Sequence, residues 1–317
     1  MANESTTPTL NDVYYSAIVS PLMMDYAHDW VVATPLLREF SLLGQASNAV
    51  DVWSLASDMG TVGANGSGVD AEFDATQGTD LANTALDSNK VTLTAAEYGV
   101  MRTITDNVLE DSIAGIDWLR IVLNDSARIL MTALEYDTLA LLDDFSNVSG
   151  SSGSDLTIAQ LLAAQTGIRS RGVRAPEGVS FVLDDQQVLD AEAAFIATST
   201  SVATYAAATD RIFGSPGPGP NNGMSNGHVL SFRGAPVFAT GLGPTANGGA
   251  DVTGACFVHS GPGNDPMAAL GIVWKRMFRL ETDRDISLRA TEYVATMRAG
   301  VGELFDAAGT SIITDAP

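Results

Sequence analysis

A nucleophile needs a base within hydrogen-bond reach, and a metal ion needs several ligands that converge on one point. The 317-residue sequence offers few residues able to meet either demand. Its three histidines, His28, His228 and His259, lie far apart in the chain. Cys256 and His259 share a strand-like run, but residues three apart on a strand point to opposite faces, so a Cys–His nucleophile pair is not expected there. No serine is singled out by its surroundings, and no His-Glu-x-x-His or Cys-x-x-Cys occurs. The glycine runs at 60–68 and 214–223 lack the Gly-Lys-Ser/Thr that cradles phosphate. Three acidic groups, Asp143/Asp144, Asp184/Asp185 and Glu281/Asp283/Asp285, have the oxygen chemistry for a hard cation, and the last is the strongest of the three. None has the spacing of a calcium loop, and helix ends and a solvated acidic surface account for all of them. The sequence therefore nominates no catalytic, cofactor-binding or metal-binding residue. The expected protein is not an enzyme and carries no cofactor.

Charge narrows the partners further. Asp and Glu number 38 against 16 Lys and Arg, for a net charge of −22, and the only lysines are Lys90 and Lys275. Nucleic-acid affinity is built on cations that neutralise phosphates, so specific nucleic-acid binding is not expected. An acidic, lysine-poor surface suits a halophilic or marine host, and genome bias explains it equally well. No apolar run reaches the length of a membrane span, and residues 1–9 lack the basic and apolar regions of a secretory signal. The single Cys256 allows no internal disulfide and fits a reducing birthplace.

The elements around these residues are better defined than the residues themselves. Residues 98–104 have partial alternation and β-branched character, and predict a strand. Residues 117–142 predict one long helix of roughly 38 Å, capped by Asp117 and free of Gly and Pro. Its main apolar face holds Leu119, Val122, Leu123, Ser126, Leu130, Leu134, Asp137 and Leu141; a second row holds Trp118, Ile121, Ile129, Tyr136 and Leu139. Before it, residues 12–37 are rich in large apolar groups but broken by Pro21 and Pro35. They read as an arm lying on the chain or on a neighbour, or as an N-terminal helix pair in the core. Strands are predicted at 36–40, 49–53 and 90–94, and the last two bracket a polar, glycine-rich excursion at 54–89. That excursion reads as a projecting hairpin or as a disordered insertion. After a Ser/Gly-rich boundary at 146–155, an α+β unit is expected: helices at 156–168 (capped by Asp155), 185–198 and 202–213, a buried strand at 178–183, a hairpin at 229–239 and a strand at 255–259. Residues 271–280 and a long strand at 284–298, turned by Gly300-Val301-Gly302, close the chain.

The run Tyr98-Gly99, then Thr105-Asp106-Asn107-Val108-Leu109-Glu110-Asp111-Ser112 and Asp117-Trp118-Leu119, resembles the strand-to-spine-helix region of tailed-virus major capsid proteins of the Hong Kong 97 type. Leu288-Arg289-Ala290-Thr291 resembles a run in that family's last long strand, and the order of elements over 36–317 is similar. The resemblance implies an α+β fold with an N-terminal arm and first strand at 1–48, an extended loop at 49–96, a peripheral domain at 97–154 with spine helix 117–142, an axial domain at 155–275, and a return to the peripheral domain at 276–317. It implies a structural virion protein whose copies form the pentamers and hexamers of an icosahedral shell around double-stranded DNA, assembled in the host cytoplasm. Partners would be other copies of the chain, a portal, decoration proteins, and a separate scaffold, because only about 35 residues, starting at Met1, precede Leu36. Some family members join a loop lysine to a neighbour's asparagine. Lys90 lies in the matching region, but no asparagine follows Asn264, so no such crosslink is expected. An encapsulin-like nanocompartment shell is the first alternative, and an acidic α+β enzyme the second.

Overall fold

The computed structural model describes residues 31–55, 88–111, 118–170, 178–198, 213–214, 228–259 and 268–316. Four strands form one sheet: β1 (Arg38–Ser41), β4 (Ala96–Thr105), β12 (Leu270–Asp285) and β13 (Ala290–Glu303), in the order β1-β12-β13-β4. β1 runs parallel to β12, and the remaining pairs are antiparallel. The helix α1 (Asp106–Asp111) follows β4, and the long helix α2 (Trp118–Ala140) packs on this sheet. Its 23 residues make it about 35 Å long.

A second, larger sheet takes most of the later chain. It orders β5 (Val148–Gly150), β14 (Gly309–Asp315), β11 (Asp251–Val258), β6 (Val179–Asp184), β9 (Ala235–Thr240), β8 (His228–Phe232) and β7 (Phe213–Gly214), with β10 (Thr245–Ala246) paired to β11. The helices α3 (Ile158–Ser170) and α4 (Asp185–Thr198) accompany it. Every residue of β11 is buried, as expected for a strand flanked on both edges and covered on its faces. One apolar core runs from α2 through β6, β11 and β13. A two-stranded hairpin, β2 (Ala49–Leu55) and β3 (Ser88–Thr94), is not hydrogen-bonded to either sheet and packs through Val50, Val91 and Leu93 on Leu42 and on Val273 of the four-stranded one. The excursion it brackets, the arm before residue 31, Asp117 and residues 202–212 lie outside the described residues.

Several sequence readings change. The strand expected over 284–298 is two strands, because residues 286–289 turn the chain between β12 and β13. Asp285 builds that turn: its Oδ1 accepts hydrogen bonds from Ser287 N, Ser287 Oγ and Leu288 N, and Arg289 takes a positive φ of 49°. Gly300-Val301-Gly302 does not turn. It lies inside β13, where a Cβ on Gly300 would sit 2.1 Å from Thr94 O and one on Gly302 2.6 Å from Leu93 Cδ2. The glycines let the hairpin cross the strand in contact with its backbone. Helix α3 is capped by Thr157 rather than Asp155: Thr157 N donates to Gln160 Oε1 and Gln160 N to Thr157 Oγ1, a reciprocal capping box. The chain over 276–317 divides, with 276–303 in the four-stranded sheet and 309–315 in the larger one.

Candidate assembly interface

The residues singled out for chemistry are separated by the fold. Ser180 lies opposite Phe257 in the β6–β11 ladder and Cys256 opposite Phe181, so alternation places Ser180 and Cys256 on opposite faces. His259 joins Ser180, with Nδ1 2.8 Å from Ser180 Oγ, and Cys256 is left in the core. A serine beside a histidine is the minimum of a nucleophile pair, but Ser180 is fully buried in a central strand, where no substrate carbonyl can reach it. The acidic groups are engaged by their own chain. Asp143 Oδ1 accepts from Thr253 Oγ1, and Asp184 Oδ1 accepts from Gln186 N at the start of α4. Glu281 pairs with Arg279, Asp283 Oδ1 accepts from Arg284 N, and Asp285 holds the turn. Of His28 and the glycine runs at 60–68 and 214–223, only Gly214 falls within the described residues, as the end of β7.

Two polar constructions stand out instead. The first anchors the chain as it enters the fold. Glu135, fully buried near the C-terminal end of α2, accepts hydrogen bonds from Val32 N (2.8 Å), Ala33 N (2.6 Å), Thr34 N (3.0 Å) and Thr34 Oγ1 (2.6 Å). Three consecutive backbone donors with no ladder partner are thereby satisfied by one carboxyl group. The sequence signal for this was a polar residue inside an apolar helix pattern, and such residues read as surface. The buried stripe of α2 holds Val122, Ser126, Leu130, Leu134, Glu135, Thr138 and Leu139, whereas Leu123, Tyr136 and Asp137 of the expected faces are exposed.

The second is the outer face of the β2–β3 hairpin. Asp51 faces Thr92 and Trp53 faces Lys90 across the ladder. Lys90 Nζ donates to Asp51 Oδ2 (3.2 Å) and lies 5.7 Å from the Trp53 ring centroid, and Thr92 Oγ1 donates to Asp51 Oδ1 (2.7 Å). This pairing holds the Asp51 carboxyl below its ordinary range, through the Thr92 and then the Lys90 hydrogen bond. Trp53 remains 66% exposed, and Ile286 on the β12–β13 turn is 84% exposed. Both are large apolar groups left exposed, one on the β2–β3 hairpin and one on the β12–β13 turn. Arginines elsewhere tie acids within the four-stranded sheet and its helices: Arg102 to Asp125, Arg276 to Glu97 and Arg284 to Asp106.

No known family profile matches the sequence, and no curated protein does. Solved structures do. A structure from Mycobacterium phage Che8 is similar with a TM-score of 0.65 at 14% identity, over 94% of this chain and 97% of that one. The capsid of a native GTA particle is similar with a TM-score of 0.64 at 13% identity, over 98% and 99%. The SrpI encapsulin of Synechococcus elongatus is similar with a TM-score of 0.61 at 9% identity, over 96% and 94%. Matches that span both chains from end to end define the fold: it is a mixed α and β fold of the Hong Kong 97 type.

Proposed function

We propose that the protein is a major capsid protein, a structural virion component whose copies assemble into the pentamers and hexamers of an icosahedral shell enclosing double-stranded DNA. The observation that carries this reading is the end-to-end match to the GTA capsid. The exposed Trp53 and Ile286 on projecting hairpins supply the contact chemistry that repetition in a shell requires. The four-stranded sheet with α2 serves as the peripheral domain, the larger sheet as the axial domain, and the β2–β3 hairpin as the base of an extended loop over a neighbour. The chain acts with a portal, a separate scaffold and decoration proteins, in a host cytoplasm, without enzymatic activity or cofactor and without specific affinity for DNA. A net charge of −22 and arginines paired to the chain's own acids support the last point.

An encapsulin-like shell is a second reading, favoured by the SrpI similarity. Electron microscopy of purified particles, with analysis of their contents, tests both. Closed shells assembled with a portal and packed with DNA support the capsid reading. Shells around a protein cargo support the encapsulin reading, and a monomer at every concentration sinks both.

A further inference from the structure

The four-stranded sheet has a covered face and an open one. On β4, Tyr98 and Arg102 reach Asp137 and Asp125 of α2, and Val100 joins the core. Glu97, Gly99 and Met101 alternate with them and are exposed on the other side. Arg298 faces Glu97 and Val294 faces Met101 in the ladder, so the open face continues onto β13 and from there onto β12. Its charge changes sign along the strands. At one end Arg276 stands directly opposite Arg298, and at the other Asp283 stands opposite Glu292; between them Arg279 gives way to Glu281. Like charges directly opposite each other destabilise a strand pair, and this face carries two such pairs of opposite sign. Glu97 offsets the first in part, with Oε1 2.6 Å from Arg276 Nη2. Arg298 and Glu292 have no ion-pair partner among the described residues, and the buried Arg298 Nε has no hydrogen-bond partner there either. The two lie about 20 Å apart along β13, too far to pair within one chain. Gly99 is equally unexplained by its own chain: an added Cβ would meet Thr296 Cγ2 at an ordinary 3.6 Å. A glycine inside a strand weakens it and often marks a close approach by another group.

We propose that this open face is an isologous contact between two copies of the chain. Half a turn about an axis crossing β13 near Ala295 lays the arginine end of each copy on the acidic end of the other. Arg298 then meets Glu292, Arg276 meets Asp283, and Met101, 50% exposed, enters the space left at Gly99 of the other copy. Both like-charge pairs are relieved at once. The β2–β3 hairpin bounds the face beyond its arginine end, over Val273 and Gly300. Aligned sheets cross at about 30°, which carries the other copy's β12–β13 turn beside that hairpin. The face covers roughly 350 Å² of sheet, below the ~800 Å² per partner of a stable pair, so the contact is weak and reversible. It needs one other copy and no closed shell, so it stands apart from the shell reading.

Sedimentation equilibrium of the full-length chain over a concentration series, at one salt concentration, tests the contact. The native chain should pair reversibly. Arg298→Glu and Glu292→Arg should each weaken pairing about tenfold or more, and mixing the two variants, or combining both changes in one chain, should restore it. Net charge alone gives a different answer, because Glu292→Arg makes the chain less negative and would then strengthen pairing. Gly99→Val should melt no lower than the native chain and should abolish pairing. A native chain that never pairs, a Glu292→Arg variant that pairs as well as the native chain, or a cooperatively melting double swap that fails to recover overturns the proposal. Pairing without shells keeps this contact and sinks the shell reading; shells without this pairing do the reverse.

Discussion

Glu135 holds residues 32–34 against α2 with four hydrogen bonds, and every donor is buried. Glu135→Ala removes all four acceptor contacts and leaves three backbone N–H groups without a partner, each worth about 1–3 kcal/mol when stranded. The expected loss is at least about 3 kcal/mol in urea unfolding of the isolated chain. Glu135→Gln keeps one oxygen acceptor and should lose less. Equal losses from the two variants would show that packing, not hydrogen bonding, fixes this segment. A second residue-scale prediction concerns Gly300, whose added methyl would meet Thr94 O at 2.1 Å. Gly300→Ala should cost about 2 kcal/mol, because backbone rather than a flexible side chain must move. An unchanged melting temperature would contradict the close crossing. Neither role could be read from the sequence. A glutamate in a helix pattern reads as surface, and Gly-Val-Gly reads as a turn, because both meanings depend on what another segment brings to that point.

The β2–β3 hairpin presents Trp53 and Lys90 outward and packs its apolar face on Leu42 and Val273. Trp53→Ala should change the stability of the isolated chain by less than about 1 kcal/mol, since an exposed ring gives up little beyond its cation–π contact. The same variant should assemble poorly if the hairpin is a contact surface. Normal assembly by Trp53→Ala would remove the hairpin face from the interface. At this scale much was legible. Alternation marked β2, β3 and β4, the uninterrupted apolar period marked α2, and Arg233-Gly234 marked the β8–β9 turn, where both residues take positive φ. The turn at 286–289 was not, because Ile286, Leu288 and Ala290 keep the alternation going through it. Only Asp285, whose side chain bonds the backbone beyond it, interrupts the strand. The Glu135 anchor and the Ser180–His259 pair join residues far apart in the chain, and no local pattern announces such meetings.

At the scale of the whole molecule, the charge of −22 and the exposed apolar groups oppose each other. Carboxylates on approaching subunits repel, while the apolar contacts attract at about 1.5–3 kcal/mol for each large side chain buried. Salt shortens the range of the repulsion, from about 30 Å at 0.01 M to about 3 Å at 1 M, and leaves burial largely untouched. Assembly should therefore strengthen with ionic strength. Analytical ultracentrifugation across a salt series tests whether this chain closes on copies of itself. The expected result is a slow-sedimenting subunit giving way to one sharp, fast-sedimenting shell species as salt and concentration rise. A single slow species under every condition, from a chain that unfolds cooperatively, would contradict the claim.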